Sequence, residues 1–92
     1  MTLSFKHRGL KRLFQPSDRS LIGADLIHRI ENILSTLDAA NTPQALNLPG
    51  YRLHKLRGNR VGYWAITVRA NWRIIFRLQN GDAFDVDLVD YH

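Results

Sequence analysis

The second half of the chain carries three consecutive runs in which apolar side chains alternate with other residues. The runs cover residues 63–68, 72–78 and 83–88, and a short connection separates each run from the next. A period of two puts successive side chains on opposite faces of a β-strand, and short connections join antiparallel neighbours. The sequence therefore predicts an antiparallel meander of three strands with one apolar face.

The phase of these runs also indicates how the last two strands pair. A three-residue loop over 79–81, with Gly81 in the left-handed conformation, sets Phe76 opposite Phe84 and joins two apolar side chains. A two-residue loop would instead set Phe76 opposite Asp85. We therefore expect the longer loop at this hairpin.

The preceding hairpin is expected to have a loop over 69–71, in which Asn71 tolerates the left-handed conformation. In that register Arg73 lies between Thr67 and Asp87. The face of the sheet that carries these three side chains is too polar for a core and is the natural place for a site. Helices should cover the other face, whose aromatic core candidates are Trp64, Trp72, Phe76 and Phe84.

Helical spacing precedes the strands. Apolar residues recur every three or four positions from about Leu21 to Ala40, which predicts a long amphipathic helix. A shorter helical pattern over 9–14 ends before Pro16, and residues 3–6 alternate as a short strand would. Because no linker or repeat interrupts the chain, we expect one domain over 1–92. Its class is α+β, with two N-terminal helices packed on one face of a twisted, mainly antiparallel β-sheet.

The charge of the chain indicates an anionic partner. The formal net charge is +5, and seven Lys or Arg lie from Arg52 to Arg77 with no Asp or Glu among them. Such a stretch favours nucleic acid or an acidic partner, and an ordinary solvated surface is the alternative. The absence of cysteine excludes disulfides and thiolate chemistry. No secretory signal or membrane-spanning stretch is found, so we expect a cytoplasmic protein without a membrane partner.

The side chains best suited to proton transfer are His54, in the basic stretch, and the terminal Asp90, Tyr91 and His92. RNA can be cleaved by its own 2′-hydroxyl if a base, an acid and cations are supplied, and imidazole and guanidinium groups suit these roles. His54 as a surface residue, Arg73 in a cross-strand ion pair and Tyr91 as a packing residue are the structural alternatives. A metal site made by His54, Asp90 and His92 is a less favoured hypothesis.

Several blocks of the sequence resemble the HigB toxins of bacterial type II toxin–antitoxin systems, within the RelE-like superfamily. These blocks are residues 4–10, 53–54, 58–64, 67–74, 80–83 and 90–92. The Val-Arg-Ala-Asn-Trp-Arg sequence and the Asp-Tyr-His ending are the most specific of them. The resemblance extends over the whole chain.

This resemblance implies an mRNA interferase, an endoribonuclease that cuts messages in the ribosomal A site by metal-independent 2′-hydroxyl attack and so arrests translation. No cofactor is implied. The implied partners are a cognate HigA-like antitoxin, the 70S ribosome with mRNA, and operator DNA only through the antitoxin. At matching positions the implied catalytic residues are His54, Arg73, Asp90, Tyr91 and His92, with Arg73 as the cation that stabilises the phosphate.

The phosphate-binding candidates are the cations Lys55, Arg57, Arg60, Arg69 and Arg77. At position 57 the family often has Lys, whereas this chain has Arg57. The positive charge is kept, but an arginine cannot give up its proton at neutral pH. Arg57 is therefore expected to act through its charge and not as an acid or base.

Two other functions stay open on the sequence. A RelE-like fold also serves ParE-like toxins that inhibit DNA gyrase and cut no RNA, although His54 and the Asp-Tyr-His ending argue against that reading. The second is a non-enzymatic basic module that binds RNA or assists a repressor. Such a module would depend on Arg57, Arg60 or Arg69 and would tolerate the loss of His54.

Overall fold

A computed structural model describes residues 1–91 of the chain. Over these residues two α-helices precede four antiparallel strands that follow one another in the order β1-β2-β3-β4. The elements are α1 (Arg8–Phe14), α2 (Ile27–Ala39), β1 (His54–Lys55), β2 (Trp64–Arg69), β3 (Trp72–Gln79) and β4 (Asp82–Asp90), with 3₁₀ turns at Pro43–Leu46 and Gly58–Arg60. The predicted α+β class is confirmed. None of the helices in this part of the chain has the length and apolar character needed to cross a bilayer.

Helix α2 begins later than predicted, at Ile27 instead of near Leu21. The residues before it form turns, in which the N–H of Leu26 bonds to the carbonyl of Gly23 at 3.0 Å. Ile22 and Leu26 are nevertheless buried in the core. The apolar spacing therefore begins before the helix does, and it does not mark the helix start. Gly23, a poor helix former, lies in the segment that is not helical.

The N-terminal segment runs beside β4 and leads directly into α1. It makes two isolated parallel bridges, Thr2 with Ala83 and Phe5 with Val86, where a short strand was predicted. His7 then caps the helix, because its Nδ1 accepts a hydrogen bond from the backbone N–H of Leu10 at 3.1 Å. The sequence gives no sign of this capping role, because histidine is not among the preferred N-cap residues.

The core lies between the helices and one face of the sheet. Its largest fully buried side chains are Leu10, Ile30, Ile33, Leu37, Leu46, Ile66, Ile74, Phe76 and Val86. Of the four aromatic candidates, Phe76 is fully buried, and Trp64 and Trp72 are half-buried against this core. Phe84 does not belong to it, and that prediction is wrong because of the pairing of β4.

The β3–β4 hairpin has a shorter loop than predicted. Only Asn80 and Gly81 lie between the strands, with φ of 54° and 80°. Two consecutive positive φ angles are what a type I′ turn requires, and Asn-Gly is the favoured pair for it. Phe84 consequently lies opposite Arg77 and not opposite Phe76.

A β-bulge at Asp85 then corrects the phase of the strand. Asp85 has a φ of 54°, and the ladder shifts between Ile75 and Arg77. The additional residue returns the later apolar side chains of β4 to the core side. The two-residue loop therefore does not expose them. Beyond the bulge Ile75 lies opposite Asp87 and Arg73 opposite Val89. The predicted Arg73–Asp87 pair is therefore wrong.

The β2–β3 hairpin agrees better with the sequence. Thr67 lies opposite Arg73, as predicted. The turn differs, because a second irregularity between Thr67 and Arg69 leaves a loop of Ala70 and Asn71. The residue with positive φ is Ala70, at 50°, and not Asn71. The predicted pairing of the two strands is thus confirmed, whereas the predicted length of the loop and its left-handed residue are wrong.

The face of the sheet away from the helices, called here the second face, has an apolar centre. Leu56, Ala65 and Ile75 are buried together there, and Tyr63 and Val89 pack against them half-buried. The expectation of a polar face is therefore correct only for its periphery. The connection after β1 supplies Leu56, so this segment covers part of the second face.

Truncation of one aromatic ring on each face of the sheet should lower the free energy of unfolding by different amounts. Phe76→Ala should lower the free energy of unfolding by about 3–5 kcal/mol, because it empties a fully buried position. Phe84→Ala should cost less, about 1–2 kcal/mol, because its ring is half-buried with the Arg77 guanidinium 5.5 Å above it. Urea unfolding followed by tryptophan fluorescence measures both, and equal losses would contradict these positions.

Substitution of Asp85 tests the bulge. Asp85→Val should be less stable than Asp85→Gly by about 1–2 kcal/mol, because a β-branched residue is strained at positive φ. Both variants lose the carboxylate that lies 3.7 Å from Arg77, so the loss of that ion pair cancels in the comparison. Equal urea midpoints for the two variants would show that residue 85 has an ordinary strand conformation.

Candidate active site

Cross-strand pairing puts His54 on the second face. His54 lies opposite Ala65, Ala65 opposite Ile75, and Ile75 opposite Asp87. Directly opposed residues share a face, so these four side chains form one row across the sheet. Three strand spacings, about 14 Å along the sheet, separate the ends of the row. His54 is thus on one edge strand, and Asp90 is on the other.

His54 itself is exposed on the short strand β1. Its Nδ1 lies 2.8 Å from the backbone carbonyl oxygen of Arg52. The next residue, Lys55, lies opposite Trp64 and has its ammonium 5.1 Å from that ring. Since Trp64 packs against the main core, Lys55 is on the helix-covered face and not beside His54.

Of the C-terminal candidates, Asp90 ends β4 and Tyr91 follows it directly. Tyr91 donates its backbone N–H to the carbonyl of Asn71 at 2.7 Å, and its ring lies 5.5 Å from the guanidinium of Arg60. Asp90 is exposed and lies opposite Trp72. His92, the third predicted catalytic residue at this end, lies outside the described residues. The structure therefore brings Tyr91 and Arg60 together.

Arg73 lies in the row next to that of His54, between Thr67 and Val89. Its Nη1 donates to the carbonyl oxygens of Ala70 at 2.6 Å and Trp72 at 3.0 Å. These bonds anchor the side chain to the β2–β3 loop. A guanidinium has five N–H donors in a planar fork, so the remaining donors are available to an anion on the second face.

The other predicted phosphate-binding arginines are dispersed. Arg57 is exposed just before the 3₁₀ turn, and Arg60 ends that turn. Arg69 pairs with Asp25 at 3.3 Å, and Arg77 lies 3.7 Å from Asp85. Two of the four arginines are thus already paired with a carboxylate, while Arg60 contacts an aromatic ring.

Two residues that the sequence did not single out add to the second face. The ammonium of Lys6 lies 5.3 Å from the ring centre of Tyr63, and the Arg77 guanidinium lies 5.9 Å from the same ring. A hydrogen bond with the Tyr63 hydroxyl raises the pKa of Lys6 above 10.5, with further contributions from the charges of Tyr63, Asp85 and Asp87. Lys6 is therefore a fixed cation at neutral pH.

The groups on this face suit proton transfer and the stabilisation of anionic charge. Among residues 1–91, no three His, Cys, Asp or Glu are grouped so that they could hold a metal ion. The metal hypothesis also included His92, which lies beyond that range. What the described residues offer is an imidazole, a phenol and several guanidinium groups along one surface.

The whole fold resembles that of known toxins. A mutant of YafQ from Escherichia coli matches with a TM-score of 0.63 and 17% identity over 98% of this chain and 91% of that chain. The YoeB–YefM complex from Staphylococcus aureus matches with a TM-score of 0.59 and 14% identity over 100% of this chain and 95% of that chain. At such low identity the likeness defines the fold alone.

The sequence defines the family within that fold. A family model described as the RelE-like toxin of type II toxin–antitoxin system HigB matches residues 3–92. The protein named Endoribonuclease HigB from Proteus vulgaris is 49% identical over 92 residues, which cover all of both chains. The chain therefore belongs to the HigB-like toxin family, and the resemblance inferred from its motifs is confirmed.

Removal of one hydroxyl tests the Lys6 contact. Tyr63→Phe should move the pKa of Lys6 down towards 10.5, because it deletes the hydrogen-bond partner that raises it most. Since folding raises this pKa, the stability that the contact contributes is present at neutral pH and is lost as the pH rises through the raised value. Titration of the Lys6 side-chain carbon signals by NMR measures the shift. Tyr91→Phe is the control, and an unchanged Lys6 pKa in Tyr63→Phe would contradict the contact.

Proposed function

We propose that this HigB-like toxin is an endoribonuclease that cuts mRNA in the A site of the ribosome and so arrests translation. The observation that carries the proposal is the occurrence of His54, Arg73 and the Arg60–Tyr91 contact on one face of the sheet. The relative named Endoribonuclease HigB, similar along its entire length, supports the same reaction class. We further propose that the single domain spans residues 1–92.

The proposed reaction uses the RNA itself as the nucleophile. His54 accepts the proton of a 2′-hydroxyl, the 2′-oxygen forms a bond to the adjacent phosphorus, and the bond from phosphorus to the 5′-oxygen breaks. Arg73 and Arg60 stabilise the negative charge on the phosphorane. The departing 5′-oxygen takes a proton from the Asp90-Tyr91-His92 end, where His92 is the candidate acid. The products are a 2′,3′-cyclic phosphate and a 5′-hydroxyl.

The exposure of these groups supports the proposed dependence on the ribosome. His54, Arg57 and Asp90 are all exposed at the surface, and His54 lies on the opposite edge strand from Asp90. An exposed and dispersed set of groups does little to align a flexible RNA for in-line attack. A ribosome that holds the message in a fixed conformation would supply that alignment. We propose that this is why the protein acts on ribosome-bound mRNA.

The proposed RNA contacts follow the faces of the sheet. Arg57, Arg60 and Arg77 act as phosphate-binding residues on or beside the second face. Lys55 contacts Trp64 on the helix side and Arg69 pairs with Asp25, so these two cations act at longer range. Their contribution is the general attraction of a basic surface for RNA, which salt should weaken.

Membership of a toxin–antitoxin family implies a partner that neutralises the toxin. The related fold of YoeB was solved in complex with YefM, which is an example of such a pairing for that protein. For this chain we propose a cognate HigA-like antitoxin. Operator DNA would then be contacted only through the antitoxin, and the toxin would act in the cytoplasm.

The decisive assay maps 5′ ends on one defined mRNA, incubated with the protein as naked RNA and on programmed ribosomes. We expect new ends only with ribosomes and only at A-site codons. His54→Ala should slow this cleavage roughly 10²- to 10⁴-fold, the usual contribution of a general base, without weakening ribosome binding.

His28→Ala is the matched control, because His28 is an exposed histidine on α2, on the helix side of the sheet. It should cleave like the unmodified protein. Cuts in naked RNA at equal rate would contradict ribosome dependence. An intact message in both reactions would contradict the endonuclease and favour inhibition of another target.

A further inference from the structure

Arg52 has a backbone conformation that is uncommon for a residue with a side chain. Its φ is 51°, and its carbonyl oxygen lies 2.8 Å from Nδ1 of His54, two residues later. A carbonyl oxygen only accepts hydrogen bonds, so Nδ1 must be the nitrogen that carries the hydrogen. In a neutral imidazole, Nε2 is then the unprotonated nitrogen.

The residues on both sides hold Arg52 in this conformation. Before it, Tyr51 is buried and its carbonyl accepts the N–H of Thr67 at 2.8 Å. After it, Leu53 packs against the main core and His54 pairs with β2. Because the chain is fixed on each side, the turn falls on residue 52, and packing offsets the strain of a positive φ.

The side chain of Arg52 has no part in this geometry. It is exposed, and the group that reaches His54 is the backbone carbonyl. The identity of residue 52 therefore affects His54 through the φ angle that the residue tolerates. Glycine accepts positive φ without strain, whereas a β-branched residue does not.

We propose that Arg52 is a positioning residue whose left-handed backbone locks His54 in the Nδ1–H tautomer and directs Nε2 towards the RNA. Nε2 is then the atom that takes the proton of the 2′-hydroxyl, as the 2′-oxygen bonds to phosphorus and the 5′-oxygen leaves with a proton from the C-terminal acid. This assigns the base to His54 and the acid to the other edge of the sheet. The catalytic part rests on the proposed endoribonuclease function, but the tautomer is a property of the free protein.

The tautomer can be measured directly in the unmodified protein without RNA. Two-bond ¹H–¹⁵N correlation spectra distinguish a protonated from an unprotonated ring nitrogen, and His54→Asn identifies which of the four histidines gives the signal. At a pH where the imidazole is neutral, we expect a protonated Nδ1 and an unprotonated Nε2. The opposite tautomer, or an even mixture, would overturn the proposal.

A pair of substitutions tests the role of the backbone. Arg52→Gly and Arg52→Val both remove the cation, so their comparison isolates the φ angle. Arg52→Val should show a mixture of His54 tautomers and should cleave message about tenfold more slowly than Arg52→Gly, within the range that a displaced base can cost. Equal tautomers and equal rates would refute the positioning role.

The two hypotheses fail in different ways. If the unmodified protein cuts no message on ribosomes, the proposed function is wrong, whatever the tautomer of His54. If it cuts message but His54 carries its hydrogen on Nε2, only the role of Arg52 is wrong. Should Arg52→Val fail to fold, as its amide spectrum would show, the spectrum of the unmodified protein still decides the tautomer.

Discussion

The bulge at Asp85 determines which side chains of β4 reach the core and which reach the second face. A shift of one residue moves every later side chain to the opposite face. With the bulge, Val86 is fully buried in the main core, Val89 joins the second cluster, and Tyr91 comes within 5.5 Å of Arg60. Without it, Tyr91 would be directed towards the helices. The C-terminal edge of the candidate site therefore depends on the positive φ of Asp85, an aspartate that tolerates it better than most residues do.

The opposite edge of the site, strand β1, is fixed more by the packing of side chains than by backbone hydrogen bonds to β2. Strand β1 has only two residues, too few to fix an edge strand by backbone hydrogen bonds alone. Leu53, before it, packs against the main core, and Leu56, after it, is buried in the second cluster. His54 thus lies between two apolar residues that are packed on opposite faces of the sheet. The burial of Leu53 and Leu56 fixes the backbone of this segment, so the exposed imidazole has a defined position.

The sequence predicted what local periodicity controls and missed what depends on particular φ angles. Alternation was sufficient for the three long strands and for the pairing of Thr67 with Arg73. The prediction for the last hairpin is wrong because the Asn80-Gly81 pair, the strongest short signal for a two-residue turn, outweighs side-chain phase there. The Lys6–Tyr63 contact has no local signal at all, because it forms only when the N-terminal segment lies beside β4. Residue chemistry alone indicates His54 and the Asp90-Tyr91-His92 ending as proton-transfer candidates, and the resemblance to the HigB toxins supplies the roles expected of them.

Charge compensation distinguishes two parts of the second face. Lys6 and Arg77 lie near Asp85, so their positive charge is partly neutralised. Arg60 instead stacks on Tyr91, and an aromatic ring holds a cation without cancelling its charge. Alternation along β4 directs the Asp90 side chain away from the side that Val89 and Tyr91 share. For the proposed RNA substrate, Arg60 therefore offers a positive charge that is less compensated than that of the Lys6–Arg77 pair. Leu56, which is buried beside Ala65 in the row of His54, ties the segment that bears Arg60 to that row.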